Sequence, residues 1–506
     1  MKTNFTALDF IVLVAYLIAT TALGIWLGRI QKDAKDYFVA GHQIPWWAVL
    51  FSVVATETSA LTFISIPGLA YTTNLGFLQI AAGYLLGRIV VAYTLLPRYY
   101  QGDLVTAYAL LEKRFGIGTR RFASIVFMVT RAFADSVRVF ATAIPIALII
   151  GPAVPQHYVM PVAILVLGAL TLFYTYHGGM RAVVWTDVLQ TSVYLLGGFS
   201  ALYLIGKGVS GGWGAILSTA GAAGKLKVVD VYFGFDKPYT LFAGLIGGAF
   251  LSMASHGADQ LIVQRLLAAS SLKESRKALI GSGIAVFFQF TLFLMIGIGL
   301  YAYYQARPFA VPDSIFPSFV VDEMPAGLRG LIVAAVLAAT MSAHSGAMNS
   351  LAASTTHDIY LPLSKRSADD PRTLRMAKIF TLFWGVILLV AALLYKQQGT
   401  PVVVIALSIA SFTYGALLGG FFLGMLWRRA IQRDAILGMA VGIIAMSFVV
   451  FSKQMTVFFP SMTDFLLKLS HIAFPWYVLI GTSFTIGVGI LSSYTHAAPT
   501  DGDRWK

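Results

Sequence analysis

PWWAVLFSVVATETSALTFISIPG runs from Pro45 to Gly68. Its flanks are apolar enough for a bilayer, but Thr56, Glu57, Thr58, Ser59 and Thr62 interrupt it midway. A carboxylate inside a membrane span is costly unless it is paired or faces water. Short hydroxyl side chains compete for backbone hydrogen bonds and loosen a helix. The segment therefore reads as a broken membrane helix, whose freed carbonyls and amides suit ions and polar solutes. A hydroxyl-rich packing seam is the plainer reading, and Glu57 weighs against it.

The rest of the chain fits that setting. Of its 506 residues, 58% are hydrophobic and 11% charged, and mean hydropathy is +0.77. Soluble domains carry about 25% charged residues. The composition excludes a soluble globular protein and a disordered one. It leaves an all-α polytopic membrane protein, because apolar stretches of about 20 residues must satisfy their backbone inside lipid. The formal charge of +14 does not point to nucleic acid, since the basic residues lie in short loops between spans. No cysteine is present, which removes disulfides, thiolate metal sites and catalytic thiols.

Thirteen spans are expected, at 7–29, 44–69, 76–98, 121–151, 157–176, 183–206, 239–264, 277–304, 327–358, 374–395, 400–427, 434–453 and 472–494. The first is too long for a signal-peptide core and reads as a retained helix. One set of alternate loops includes Arg29, Lys32, Arg98, Arg120, Arg265, Lys273, Lys365, Arg372 and Arg428, and holds more than twice the Lys and Arg of the other set. The positive-inside rule then puts the N-terminus outside and the C-terminus in the cytoplasm, across the cell's inner membrane. GxxxG spacings at Gly24/Gly28, Gly83/Gly87, Gly415/Gly419 and Gly420/Gly424 read as close helix packing.

Several other spans carry polar groups. Arg131, Asp135 and Arg138 share one helix face. Two cations against one anion leave a positive charge, which Glu57 or an anionic solute group is expected to meet. Ser342, Ser345 and Asn349 form a polar stripe in span 327–358, and its oxygens suit a hard cation such as Na⁺. Ser255 and His256 lie deep in span 239–264, with Asp259, Gln260, Gln264 and Arg265 toward its cytoplasmic end. Arg88, Asp187 and His344 also stand out as ionisable groups inside spans. Spans 44–69 and 239–264 both look interrupted and lie five spans apart, the layout of an inverted-repeat transporter with a midplane site.

Further segments carry a resemblance: DYFVAGHQIPWW at 36–47, YTYHGGMRA at 174–182 with VVWTDVLQ at 183–190, GADQLIVQRLLAA at 257–269, Asn349-Ser350 with HDIY at 357–360, and SFTYGALLGGFFLGMLW at 411–427. In this order, over nearly the whole chain, the sequence resembles the sodium:solute symporter family, which includes sodium-coupled galactose, proline and sialic acid transporters. The resemblance implies a LeuT-type fold in one transmembrane domain, 1–506. An extra helix at 7–29 would precede two inverted five-helix repeats, 44–206 and 239–427, and two helices at 434–494 would close the chain. It implies no enzyme. It implies a symporter that uses sodium to import a small polar organic solute (a sugar, sugar acid, amino acid or carboxylate) by alternating access.

Carried over residue by residue, the main sodium site would use the carbonyls of Ala55, Thr58 and Ala339 and the hydroxyl of Ser342. Ala343 stands where the family usually has a second hydroxyl. A second sodium site would use Asp187, Ser342 and Ser345, with Gly346 in place of a third hydroxyl. Substrate would meet Glu57, Ser59, Thr62, Arg138, Ser255, His256, Phe412 and Tyr414. Ser255 and His256 occupy the place of the sugar transporters' aromatic gate. Ala343 motivates an alternative, proton-coupled symport with Glu57 or Asp187 as carrier. A membrane enzyme or a sensor has less support. HGG at 177–179 lacks a G-x-S-x-G partner, no HExxH occurs, and the tail after about residue 494 is short for an output domain.

Overall fold

The computed structural model describes residues 5–27, 33–57, 60–101, 104–150, 154–395 and 402–497. Regular structure among them is helical, apart from one isolated bridge between Ile44 and Ala269. The principal helices are α1 (Ala7–Leu27), α2 (Trp46–Glu57), α3 (Ala60–Thr72), α4 (Leu78–Tyr93), α5 (Ile117–Ile150), α6 (Gln156–Gly208) and α7 (Gly248–Gly257). They continue with α8 (Gln260–Leu267), α9 (Leu272–Tyr303), α10 (Leu328–Ser354), α11 (Pro371–Leu394), α12 (Val402–Leu426), α13 (Gln432–Val450) and α14 (Trp476–Ser493).

Among the described residues, eight helices are long and apolar enough to cross a membrane, and the bent pair α2–α3 makes a ninth. Their outer faces are apolar. Ile11, Ile18 and Trp26 on α1 and Phe383 and Leu394 on α11 are among the exposed large side chains, as lipid contact requires. The most enclosed span runs through α10, 88% buried over its apolar window. It packs against α1, α2, α5, α6 and α11.

Three irregularities position the polar groups. First, α2 and α3 meet at 62°, which agrees with the expected break; Thr58 and Ser59 lie outside the described residues. Second, α6 carries two expected spans joined at a corner, Gly179, with φ 53° and ψ −156°. A Cβ there would lie 2.6 Å from the Tyr37 carbonyl oxygen, so the corner needs glycine twice over. Third, the helix after residue 243 stops at Gly257 and restarts at Gln260. Asp259, in extended conformation, caps α8 by accepting a hydrogen bond from the Leu261 amide at 2.8 Å.

The glycine seams pack closely. A Cβ on Gly83 would sit 2.0 Å from the Gly244 carbonyl oxygen, and one on Gly87 would sit 2.3 Å from that of Ala249. The backbone of α4 thus lies directly on the helix that becomes α7, the close approach that small residues permit.

Candidate functional site

Glu57 closes α2, just before the bend. Its carboxylate pairs with the guanidinium of Arg88 on α4, which is fully buried. Arg88 also donates to the Ser282 hydroxyl on α9 at 2.7 Å. The second carboxylate oxygen of Glu57 faces His256 Nε2 at 3.4 Å. His256 Nδ1 shares a 2.8 Å contact with the Ser255 hydroxyl, and the Thr62 hydroxyl approaches the Glu57 carbonyl at 3.5 Å. Glu57, Thr62, Ser255 and His256 are therefore brought together around the α2–α3 bend. Arg88 and Ser282 join them without having been given a role from the sequence. Glu57 keeps 20% of its side chain accessible while Arg88 has none, so the carboxylate is the face this cluster offers.

The expectation that Glu57 neutralises the trio on α5 is not met. Asp259 takes that part. Its carboxylate pairs with Arg131 and accepts from the Tyr414 hydroxyl at 2.6 Å, and Arg131 donates to that hydroxyl at 3.0 Å. Asp135 lies 3.5 Å from Arg131 and 3.3 Å from Arg138. Two arginines and two aspartates balance across α5, the α7–α8 break and α12. Tyr414 thus belongs to an ionic network, and Arg138 stands at its more accessible end. Phe412 lies apart, its ring 6.2 Å from that of Phe451 near the end of α13. His344 is buried in α10, and neither ring nitrogen has a hydrogen-bond partner among the described residues.

A third cluster joins α2, α6, α8 and α10. Asp187, wholly buried, accepts hydrogen bonds from Ser52 on α2 and Ser342 on α10. Arg265 lies 3.4 Å from the same carboxylate and donates to Ser52 at 3.0 Å. The cation beside Asp187 is Arg265, while Arg181 donates to Gln43 at 3.1 Å. The Ser345 hydroxyl bonds its own helix at the Ser342 carbonyl, 3.0 Å away, and Thr340 does the same at Val336, 3.1 Å away. Ala55 lies one turn beyond Ser52 and Ala339 one turn before Ser342, both buried. Two of the three residues whose carbonyls were named for sodium thus flank the point where α2 and α10 are tied together.

Residues 37–442 match the model of the sodium:solute symporter family. The chain belongs to that family. Sodium-coupled symport of a small solute is its activity. The sodium/sialic acid symporter NanT of Aliivibrio fischeri is 32% identical over 97% of this symporter and 94% of its own length. The sodium/sialic acid symporter SiaT of Proteus mirabilis is 32% identical over 90% and 92%. A substrate-bound, outward-open structure of a Na⁺-coupled sialic acid symporter, described as revealing a novel Na⁺ site, superposes with a TM-score of 0.84. It shares 29% identity over 98% of this chain and 99% of that one. A nucleobase-cation-symport-1 transporter, 15% identical, shares the fold at a TM-score of 0.55. Other relatives carry different cargo by name, among them the human sodium/iodide cotransporter, 28% identical over 87% of this chain and 69% of its own.

Proposed function

We propose that this symporter imports a small carboxylate-bearing polar solute, a sugar acid or a close analogue, with sodium bound between α2 and α10. The observation that carries the site is the shared hold of Ser52 and Ser342 on Asp187. A serine hydroxyl that donates its proton keeps its oxygen lone pairs for another partner. Asp187 therefore orients Ser342 as an oxygen ligand near the buried Ala55 and Ala339, whose carbonyls, with that of Thr58, are the proposed sodium ligands. This donor set suits sodium, a hard cation that takes oxygen ligands. Binding there stabilises the state in which α2 and α10 are close, and coupling follows from unequal sodium affinity in the two states.

For the solute, Glu57, Thr62, Ser255 and His256 offer acceptors and hydroxyls, with Ser59 in the same segment. Arg138 offers a guanidinium at the accessible end of the α5 network, suited to a carboxylate. Tyr414 holds that network from α12. Phe412 faces away and is proposed only as wall. The names of the two sialic acid symporters support this solute class. The layout supports thirteen spans, with two inverted five-helix repeats at 44–206 and 239–427, in an inner membrane with the N-terminus outside. No chemical step on the solute is proposed.

The test is thermal stability of purified protein in sodium, potassium and choline salts, with sugar acids, sugars and amino acids. A ligand that binds only the folded state stabilises it by about 2.7 kcal/mol at 100 times its dissociation constant. Sodium alone should raise the melting temperature, and a sugar acid should add to it only in sodium. Stabilisation by a neutral sugar with none by acids would overturn the solute class.

A further inference from the structure

We propose that the guanidinium of Arg265 is a built-in cation that takes the place of a second sodium ion, so that one sodium accompanies each solute. The inference rests on the proposed main site between α2 and α10.

A buried carboxylate with serine hydroxyls from two helices is a donor set for a hard cation. Asp187 has both features, with Ser52 and Ser342 on its oxygens and no exposed surface. The charge that it faces belongs to the chain. Arg265 is also wholly buried, and reaches Asp187 with one terminal nitrogen at 3.4 Å. Its Nε donates to Ser52 at 3.0 Å and its other terminal nitrogen donates to the Leu261 carbonyl at 2.8 Å. The guanidinium is thus held on three sides, and Asp187 already has its neutralising charge. A sodium ion added here would place two cations on one buried carboxylate, and like charges at short range repel strongly in a low dielectric.

Gly346 makes this arrangement possible. A Cβ at that position would lie 2.4 Å from one terminal nitrogen of Arg265 and 3.0 Å from the other. No side chain fits beside the guanidinium as it stands. A serine there would push the arginine aside and present one more oxygen to the same space. Residue 346 is therefore the choice between a tethered cation and a free one.

The experiment counts sodium. Radiolabelled sodium is titrated onto purified full-length protein, and the sodium dependence of thermal stabilisation is followed in parallel. One ion per chain and a Hill slope near unity are expected. Two ions per chain would overturn the inference. The double variant Arg265→Gln/Gly346→Ser removes the guanidinium and supplies a hydroxyl, and should gain one ion over the parent. No gain in a folded double variant would also overturn the inference. No sodium on the parent would instead strike the main-site reading, and the gain or its absence in the double variant would still decide the role of Arg265. If the double variant does not fold, the count on the parent decides alone.

Discussion

Glu57 and Asp187 are both acids in apolar helices, and each faces an arginine from another helix. They differ in what else can reach them. Asp187 is closed off by two hydroxyls and Arg265, with no surface exposed. Glu57 keeps 20% of its side chain open and turns one oxygen toward His256. A sealed pair has fixed partners and holds helices together. An open pair can trade a partner for water or solute at low cost. The same pairing of charges thus serves as a rivet in one place and as a contact surface in another.

The largest effect should come from opening the sealed pair. Arg265→Met leaves a buried carboxylate uncompensated and should cost about 3–5 kcal/mol of stability, read as a fall in melting temperature and folded yield. A loss no greater than that of Glu57→Gln would break the contrast. Next is Ser342→Ala, which removes a ligand oxygen from a charged partner. Groups that bond a charge are worth about 1.5–3 kcal/mol, so sodium affinity should fall by about 10- to 100-fold. Unchanged sodium dependence of uptake would remove Ser342 from the site.

Glu57→Gln should cost less stability, about 1–3 kcal/mol, because water reaches that cluster, and it should alter which solutes bind. Full retention of solute selectivity would make Glu57 a rivet as well. Arg138→Lys keeps the charge but loses the planar fork, and should raise the half-saturating solute concentration about fivefold with sodium binding unaltered. The smallest effect concerns the tail. His496 bonds the Ala497 carbonyl and Asp434 at 2.8 Å each, and these contacts raise its pKa above the ordinary imidazole value. A raised value means that the latch is fully present below the ordinary pKa and is lost as pH rises through the raised one. Protease cleavage after Ser493 should therefore quicken as pH rises, and His496→Ala should cleave fast at every pH.

How much of this was legible depended on whether the signal was local. The helical class, the bend after Glu57 and the seam at Gly83 and Gly87 are written in consecutive residues, and the structure places them as expected. The partners of the buried charges are not written locally. Arg88 lies 31 residues from Glu57, and Asp259 lies 128 from Arg131. Helices that are apolar on all sides carry little sign of which face meets which neighbour. Composition supplies the charges, while rotation and depth decide their pairing. Phe412 and Tyr414 are two apart on one helix, so they point to different faces, and only Tyr414 reaches the ionic network.

The seam between α4 and the helix ending in α7 has a mechanical consequence. Where backbone rests on backbone at Gly83 and Gly87, little freedom remains for sliding, and the two helices form one lever. Arg88 and His256 ride on that lever, while Glu57 ends a different helix. When the protein rocks between its two faces, two corners of this triangle travel as one piece. Any movement of α2 against that lever would have to stretch or release the grip of Glu57, which makes that grip a gauge of how far the lever has swung.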